Sequence, residues 1–146
     1  MKLLRYGPMN DEKPGLLDDQ GRIRDLSDHV PDINGSVLAP DRLVSLGRLD
    51  PATLPLVESS PRLGPPVAGV GKIIAVGLNY ADHAVETGAD LPSEPLIFSK
   101  AVTSLSGPCD PVMLPKNSTH TDWEVELAII MGRRAQYVSA ENAFDY

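Results

Sequence analysis

The sequence predicts an α+β chain weighted toward β structure, and three observations carry that class. Short apolar or alternating runs bounded by Gly and Pro recur along the chain, at 2–6, 16–26, 72–77 and 96–105. The stretches with helix start and stop signals, at 39–49, 78–88 and 139–146, are all short. The third observation is the run 121–132, TDWEVELAIIMG, which reads as one strand. Trp123, Val125 and Leu127 alternate there with Asp122, Glu124 and Glu126, the period-two pattern of a strand.

Length and charge narrow the possibilities. The 146 residues suffice for one ordinary domain or two small ones. Thirteen basic against twenty acidic residues give a net charge of −7, which argues against nucleic acid as a partner. No apolar run reaches the roughly 18 residues of a membrane span, so no membrane partner is expected. The start, MKLLRY, lacks the apolar core of a secretory signal. The single cysteine, Cys109, has no intramolecular disulfide partner, which fits a reducing, cytoplasmic setting. It lies in the turn 106–111 with no activating base beside it in sequence, so a structural or neutral role is expected.

From the N-terminus, residues 2–6 read as a strand, and Gly7-Pro8 and Lys13-Pro14-Gly15 as turns. Residues 16–26 read as a hairpin, with Gly21 supplying the position that tolerates positive φ. Residues 27–30 suggest a turn or helix start, with His29 on the surface. A short helix is expected over 39–49, with Pro40 in its first turn. Another opens at Pro51, with Asp50 as its N-cap. The Ser, Pro and Gly run at 59–66 marks a linker. The expected division is a small N-terminal domain at 1–66 and a second portion at 67–146.

That second portion holds the residues with chemistry. Residues 72–77 form an apolar, β-branched strand without alternation, which predicts burial on both faces. It leads into a short helix capped by Asn79 or Asp82 and stopped near Gly88. His83 and Glu86 are three apart there and share a helix face. A carboxylate beside an imidazole fixes its tautomer, and such a pair can take a proton from water. On spacing alone an ordinary helix-surface pair is the commoner reading.

Lys100 interrupts the apolar strand 96–105 and either points into a pocket or snorkels to the surface. Residues 111–115, bounded by prolines, suit an edge strand. His120 reads as a loop histidine. In the 121–132 strand, Glu124 and Glu126 fall on one face, their bases roughly 7 Å apart. A solvated face is the commoner reading of such a pair. Two acids leading into a buried strand are costly unless something positive meets them, and a hard divalent cation is one such partner. Ser139 is expected to cap a closing helix over 140–146.

Taken together, these blocks resemble the fumarylacetoacetate hydrolase family. The resemblance rests on GLNYADHAVE at 77–86, SEPLIFSK at 93–100, DWEVEL at 122–127 and the DY ending at 145–146, in that order and spacing. It covers about 67–146, and 1–66 looks like the short N-terminal domain of bacterial members. It implies a mixed β-sandwich roll, incomplete here, often dimeric. It also implies that Glu124 and Glu126 ligate Mg²⁺ or Mn²⁺, that His83 and Glu86 activate water, and that Lys100 lies in the active site. A third acidic ligand, an Asp, is implied beyond Tyr146, so the chain is expected to be truncated and its metal site incomplete. The implied activity is hydrolytic C–C cleavage of acylpyruvate-like 2,4-diketo acids, 2,4-diketo-3-deoxy sugar acids among them. Isomerases and decarboxylases of hydroxymuconate-type diacids, oxaloacetate decarboxylases and ureidoglycolate lyases remain open alternatives. So does a fragment with no activity of its own.

Overall fold

A computed structural model describes residues 1–146. The chain divides into two units, Met1–Gly69 with Ser106–Tyr146, and Val70–Leu105. Helices and strands are both short, in keeping with the α+β expectation.

The first unit is built on an antiparallel meander of β1 (Lys2–Tyr6), β2 (Lys13–Leu17) and β3 (Ile23–Asp25). Leu3 pairs with Leu16, and Leu16 with Arg24. The β2–β3 hairpin forms as the sequence reads, with Gly21 at φ +73° and its N–H donating to the Asp18 carbonyl at 2.9 Å. The Asp18 side chain ties the turn down. It accepts from the backbone N–H groups of Gln20 and Arg22 and from both the Arg22 and Arg24 guanidiniums. Burial opposes its charge, but these donors prevail and hold its carboxyl far below the usual range.

Pro14, read as a turn residue, instead lies inside β2 and is fully buried. Its carbonyl accepts from Leu26 N–H at 3.0 Å. In an extended strand the N and C=O of one residue face the same side, so the missing N–H faces away from β1 and that ladder loses nothing.

Both edges of the sheet are covered. Gly7 N–H donates to the Arg62 carbonyl and Gly64 N–H to the Arg5 carbonyl, both at 2.9 Å, which lays 62–64 along β1. Asp25 N–H to Pro55 O and Val57 N–H to Ile23 O lay 55–57 along β3. Covered edges offer no template for stray pairing. Part of the expected linker at 59–66 is therefore fixed to the sheet.

The core has two small clusters. Leu16, Leu26 and Leu54 form one, and Ile33, Val37 and Leu46 the other. Leu3, Val30 and Leu49 pack against both. The helix α1 (Pro40–Leu46) starts with proline at its N-terminus, as read, and buries Leu46. Asp50 caps a 3₁₀ turn at Pro51–Thr53 by accepting from Ala52 N–H at 2.9 Å.

The remainder of this unit departs from the sequence reading. Neither 111–115 nor 121–132 forms a strand, and Trp123 and Val125 are 87% and 90% exposed. The physical reason is partnership. A strand exists only where a neighbouring strand takes its backbone N–H and C=O groups, and neither run joins either of the two sheets. The closing helix is 3₁₀ (Ala140–Asp145) rather than α, and the Ser139 hydroxyl accepts from Asn142 Nδ2 instead of capping the backbone. Six residues are too few for a stable α-helix.

The second unit pairs β4 (Ile73–Gly77) antiparallel with β5 (Leu96–Lys100), in register from Ile73–Lys100 to Gly77–Leu96. Between them runs the helix α2 (Ala81–Thr87), stopped by Gly88 in the left-handed conformation at φ +68°. The expectation that β4 is buried on both faces fails. Ile74 is 58% exposed, and Ile97, which pairs with Val76 on the same face, is 61% exposed. Two strands and a two-turn helix leave one face of the pair without cover. No helix of the chain is long and apolar enough to cross a membrane.

Candidate functional site

The sequence places a His and a Glu on α2, and the fold presents them together. β4 ends at Gly77, and Leu78 takes a left-handed φ of +50° before the helix begins. For a branched residue this conformation is unusual and costs about 1–2 kcal/mol. Ala84 is the buried residue of α2. His83 and Glu86 lie on its solvated side, 47% and 82% exposed, with Nδ1 and Oε2 3.8 Å apart. That separation is an ion pair when the imidazole is protonated, but too long for a hydrogen bond. The backbone beneath is tied locally. His83 N–H donates to Asp82 Oδ1 at 3.0 Å, and Thr87 Oγ1 donates to the His83 carbonyl at 2.9 Å. The imidazole is open to water, and at 3.8 Å the Glu86 carboxylate can act on it only as a nearby charge.

Lys100 ends β5 and is exposed, with Nζ 5.5 Å from the Phe98 ring centroid, a cation–π contact. It pairs with Ile73, whereas the chain enters the α2 connection from the Gly77–Leu96 end of the hairpin. No hydrogen bond or ion pair joins it to His83 or Glu86.

Glu124 and Glu126 are exposed, in a run that joins neither sheet. The strand face expected to gather them is therefore not formed. Their donor type still suits a hard divalent ion, because Mg²⁺ commonly takes one or two carboxylates and fills its remaining positions with water and substrate oxygens. No cluster of three or more His, Cys, Asp or Glu side chains is assembled to hold a metal. A concavity of about 430 Å³, lined by Pro40, Arg133, Asn142 and 144–146, contains none of these five residues.

The other histidines and the cysteine behave as read. His29 and Cys109 are exposed, and His120 Nδ1 meets Thr119 Oγ1 at 2.7 Å. The sequence analysis did not single out the most connected charged group of the chain, in which Arg62 joins Glu12 and Asp110 and Arg5 joins Glu12 and Asp32. Only the crowding of Pro and Gly around Arg62 and Asp110 hinted that these positions are conformationally fixed.

Comparison with known proteins bears on the same residues. The family description "Fumarylacetoacetate (FAA) hydrolase C-terminal" matches residues 72–146. A protein of Burkholderia orbicola, named provisionally as a hydrolase, is 55% identical over all 146 residues. A Burkholderia multivorans protein with the same kind of name is 56% identical over the same span. In each case the match covers 100% of this chain and 52% of the relative, so the chain spans about half the length of the curated relatives it matches. A crystal structure of a protein from Mycobacterium smegmatis, described provisionally as HpcE, superposes with a TM-score of 0.59 at 30% identity. That match covers 80% of this chain and 41% of the other.

Proposed function

Because the chain belongs to the fumarylacetoacetate hydrolase family, we propose that it contributes to a divalent-metal-dependent hydrolase that cleaves a C–C bond in acylpyruvate or related 2,4-diketo acids, including 2,4-diketo-3-deoxy sugar acids. The observation that supports this reading is the 72–146 match, a span that contains all five candidate side chains. On this reading 1–66 is a small N-terminal domain, the catalytic portion begins at 67, and the whole protein is a cytoplasmic homodimer that takes a small-molecule substrate.

Glu124 and Glu126 would hold Mg²⁺ or Mn²⁺, which when bound supplies Lewis-acid polarisation of a substrate carbonyl. His83 takes a proton from water, and Glu86, 3.8 Å from its Nδ1, steadies the resulting imidazolium. The hydroxide oxygen adds to the carbonyl carbon. The C–C bond then breaks with its electron pair passing to the leaving carbon as an enolate, which takes up a proton to complete the second acid. The Lys100 ammonium balances the substrate carboxylate.

A second reading, isomerisation or decarboxylation of hydroxymuconate-type diacids, fits the likeness to the HpcE protein. Product analysis with a simple acylpyruvate and Mg²⁺ separates the two: two acids in equal amount mean hydrolysis, and CO₂ means decarboxylation. Turnover that survives Glu126→Gln would overturn the ligand assignment.

A further inference from the structure

The Val70–Leu105 unit is an excursion from the first unit, which the chain leaves after Gly69 and rejoins at Ser106. Its two stems are cross-linked. Arg62, on the outgoing stem, donates from Nε to Asp110 Oδ1 and from Nη2 to Asp110 Oδ2, each at 2.6 Å. This is the two-point fork of a guanidinium on a carboxylate, which fixes direction as well as distance. Arg62 Nη1 donates to Glu12 Oε1 at 2.8 Å and to the Gly7 carbonyl at 3.3 Å. Asp110 Oδ2 also accepts the Gly107 N–H at 2.7 Å. Gly107 is buried, and a Cβ there would run into the Leu63 carbonyl and lie 2.9 Å from Asp110 Oδ2. The stems therefore meet backbone to backbone, where only glycine fits.

The outgoing stem is itself held on the edge of β1, through the Gly7 to Arg62 and Gly64 to Arg5 hydrogen bonds. Glu12, with a side chain only 5% exposed, also bonds Arg5, whose other partners are Asp32 and the Pro65 carbonyl. The hydrogen bonds from Arg62 hold both the Asp110 and Glu12 carboxyls below their usual range.

We propose that Arg62, Asp110 and Gly107 form a stem clamp that fixes the two points between which the Val70–Leu105 unit is strung. The clamp lies wholly within the first unit and does not rest on the roles proposed above for His83, Glu86 and Lys100. The paired residues stand 48 apart in sequence. Without a pin, the ends of such a span are free to separate, and β4–β5 must hold its own stems together.

Amide hydrogen exchange on the 146-residue chain tests the clamp without reference to turnover, so it fails or stands apart from the hydrolase reading. In Asp110→Asn and Gly107→Ala, exchange across 63–69, 106–110 and the Val70–Leu105 unit should quicken about ten-fold or more, while 3–17 keeps its wild-type rate. Arg62→Gln, which also takes a partner from Glu12 and from the Gly7 carbonyl, should quicken the same segments and 3–17 to a lesser degree. The Arg62→Gln/Asp110→Asn double variant should exchange like Arg62→Gln alone, because Arg62→Gln already removes the fork that Asp110→Asn weakens. Unchanged stem exchange in Asp110→Asn would overturn the proposal. So would equal acceleration in 3–17, which would make the pair a general prop of the fold, or a double variant whose effects multiply.

Discussion

Replacing Leu26 and Trp123 by alanine separates the packed part of the chain from the exposed run at 121–132. Leu26 is fully buried between Leu16 and Leu54, which are 2% and 4% exposed, with Leu3, Val30 and Leu49 around them. A buried Leu→Ala change costs about 2–5 kcal/mol, the lost transfer energy plus the hole left behind. Leu26 sits at the centre of a cluster of only three fully packed leucines, so the hole has little to collapse onto it and the upper half of that range applies. At about 4 °C per kcal/mol for a domain of this size, the midpoint falls by roughly 14–20 °C.

Trp123→Ala removes a larger side chain from a position 87% exposed, so its effect should stay within about 0.5 kcal/mol. Urea titration followed by far-ultraviolet circular dichroism measures both. Trp123 is the only tryptophan, so its emission reports on that segment alone and should keep the same maximum in buffer and in denaturant. A Trp123→Ala loss as large as that of Leu26→Ala, or an emission maximum that moves red on unfolding, would show that 121–132 is packed after all.

Two further outcomes follow from local chemistry. Burial, reinforced by the Asp25 carboxylate that accepts its hydroxyl, pushes the Tyr6 phenol up from 10.0 to about 12. A raised folded-state value means that its stabilisation is complete below pH 10 and is lost as pH rises toward about 12. Urea midpoints measured across that interval should fall in the wild type and fall less in Tyr6→Phe. Gly88→Ala meets no clash, since nothing lies within 4 Å of the new Cβ, but it forces alanine to φ +68° at a cost of about 1 kcal/mol. The expected result is faster exchange of the Ala89 amide, which donates to the Ala84 carbonyl at 2.9 Å, with the first unit unaffected.

What the sequence could reveal follows the range of each signal. The hairpin at Gly21, the proline at the start of α1, the Asp50 cap and the Gly88 stop are set by neighbours a few residues away, and each forms as read. His83 and Glu86 were legible for the same reason, being one helical turn apart. The strand at 121–132 was legible only as a pattern. Alternation states which face a strand would bury, but a ladder needs a second strand, and none of these residues supplies one. The same limit misjudged β4, whose apolar run anticipates cover that the two-stranded sheet lacks. Pro14 misled because a proline inside a strand is tolerated only when its nitrogen faces no partner, which depends on register. The Arg62–Asp110 pair stands 48 residues apart, and only the crowding of Pro and Gly around each partner marks it in the sequence.

Manganese binding to this chain, read from the loss of the free Mn²⁺ electron-resonance signal, bears most directly on the family role of Glu124 and Glu126. The wild type should bind with a dissociation constant on the order of 10⁻⁴–10⁻³ M, the range of oxygen sites with few charged ligands, and Glu124→Gln/Glu126→Gln should abolish that binding. Equal binding by the wild type and the double variant, or none by the wild type at millimolar metal, would contradict the assignment.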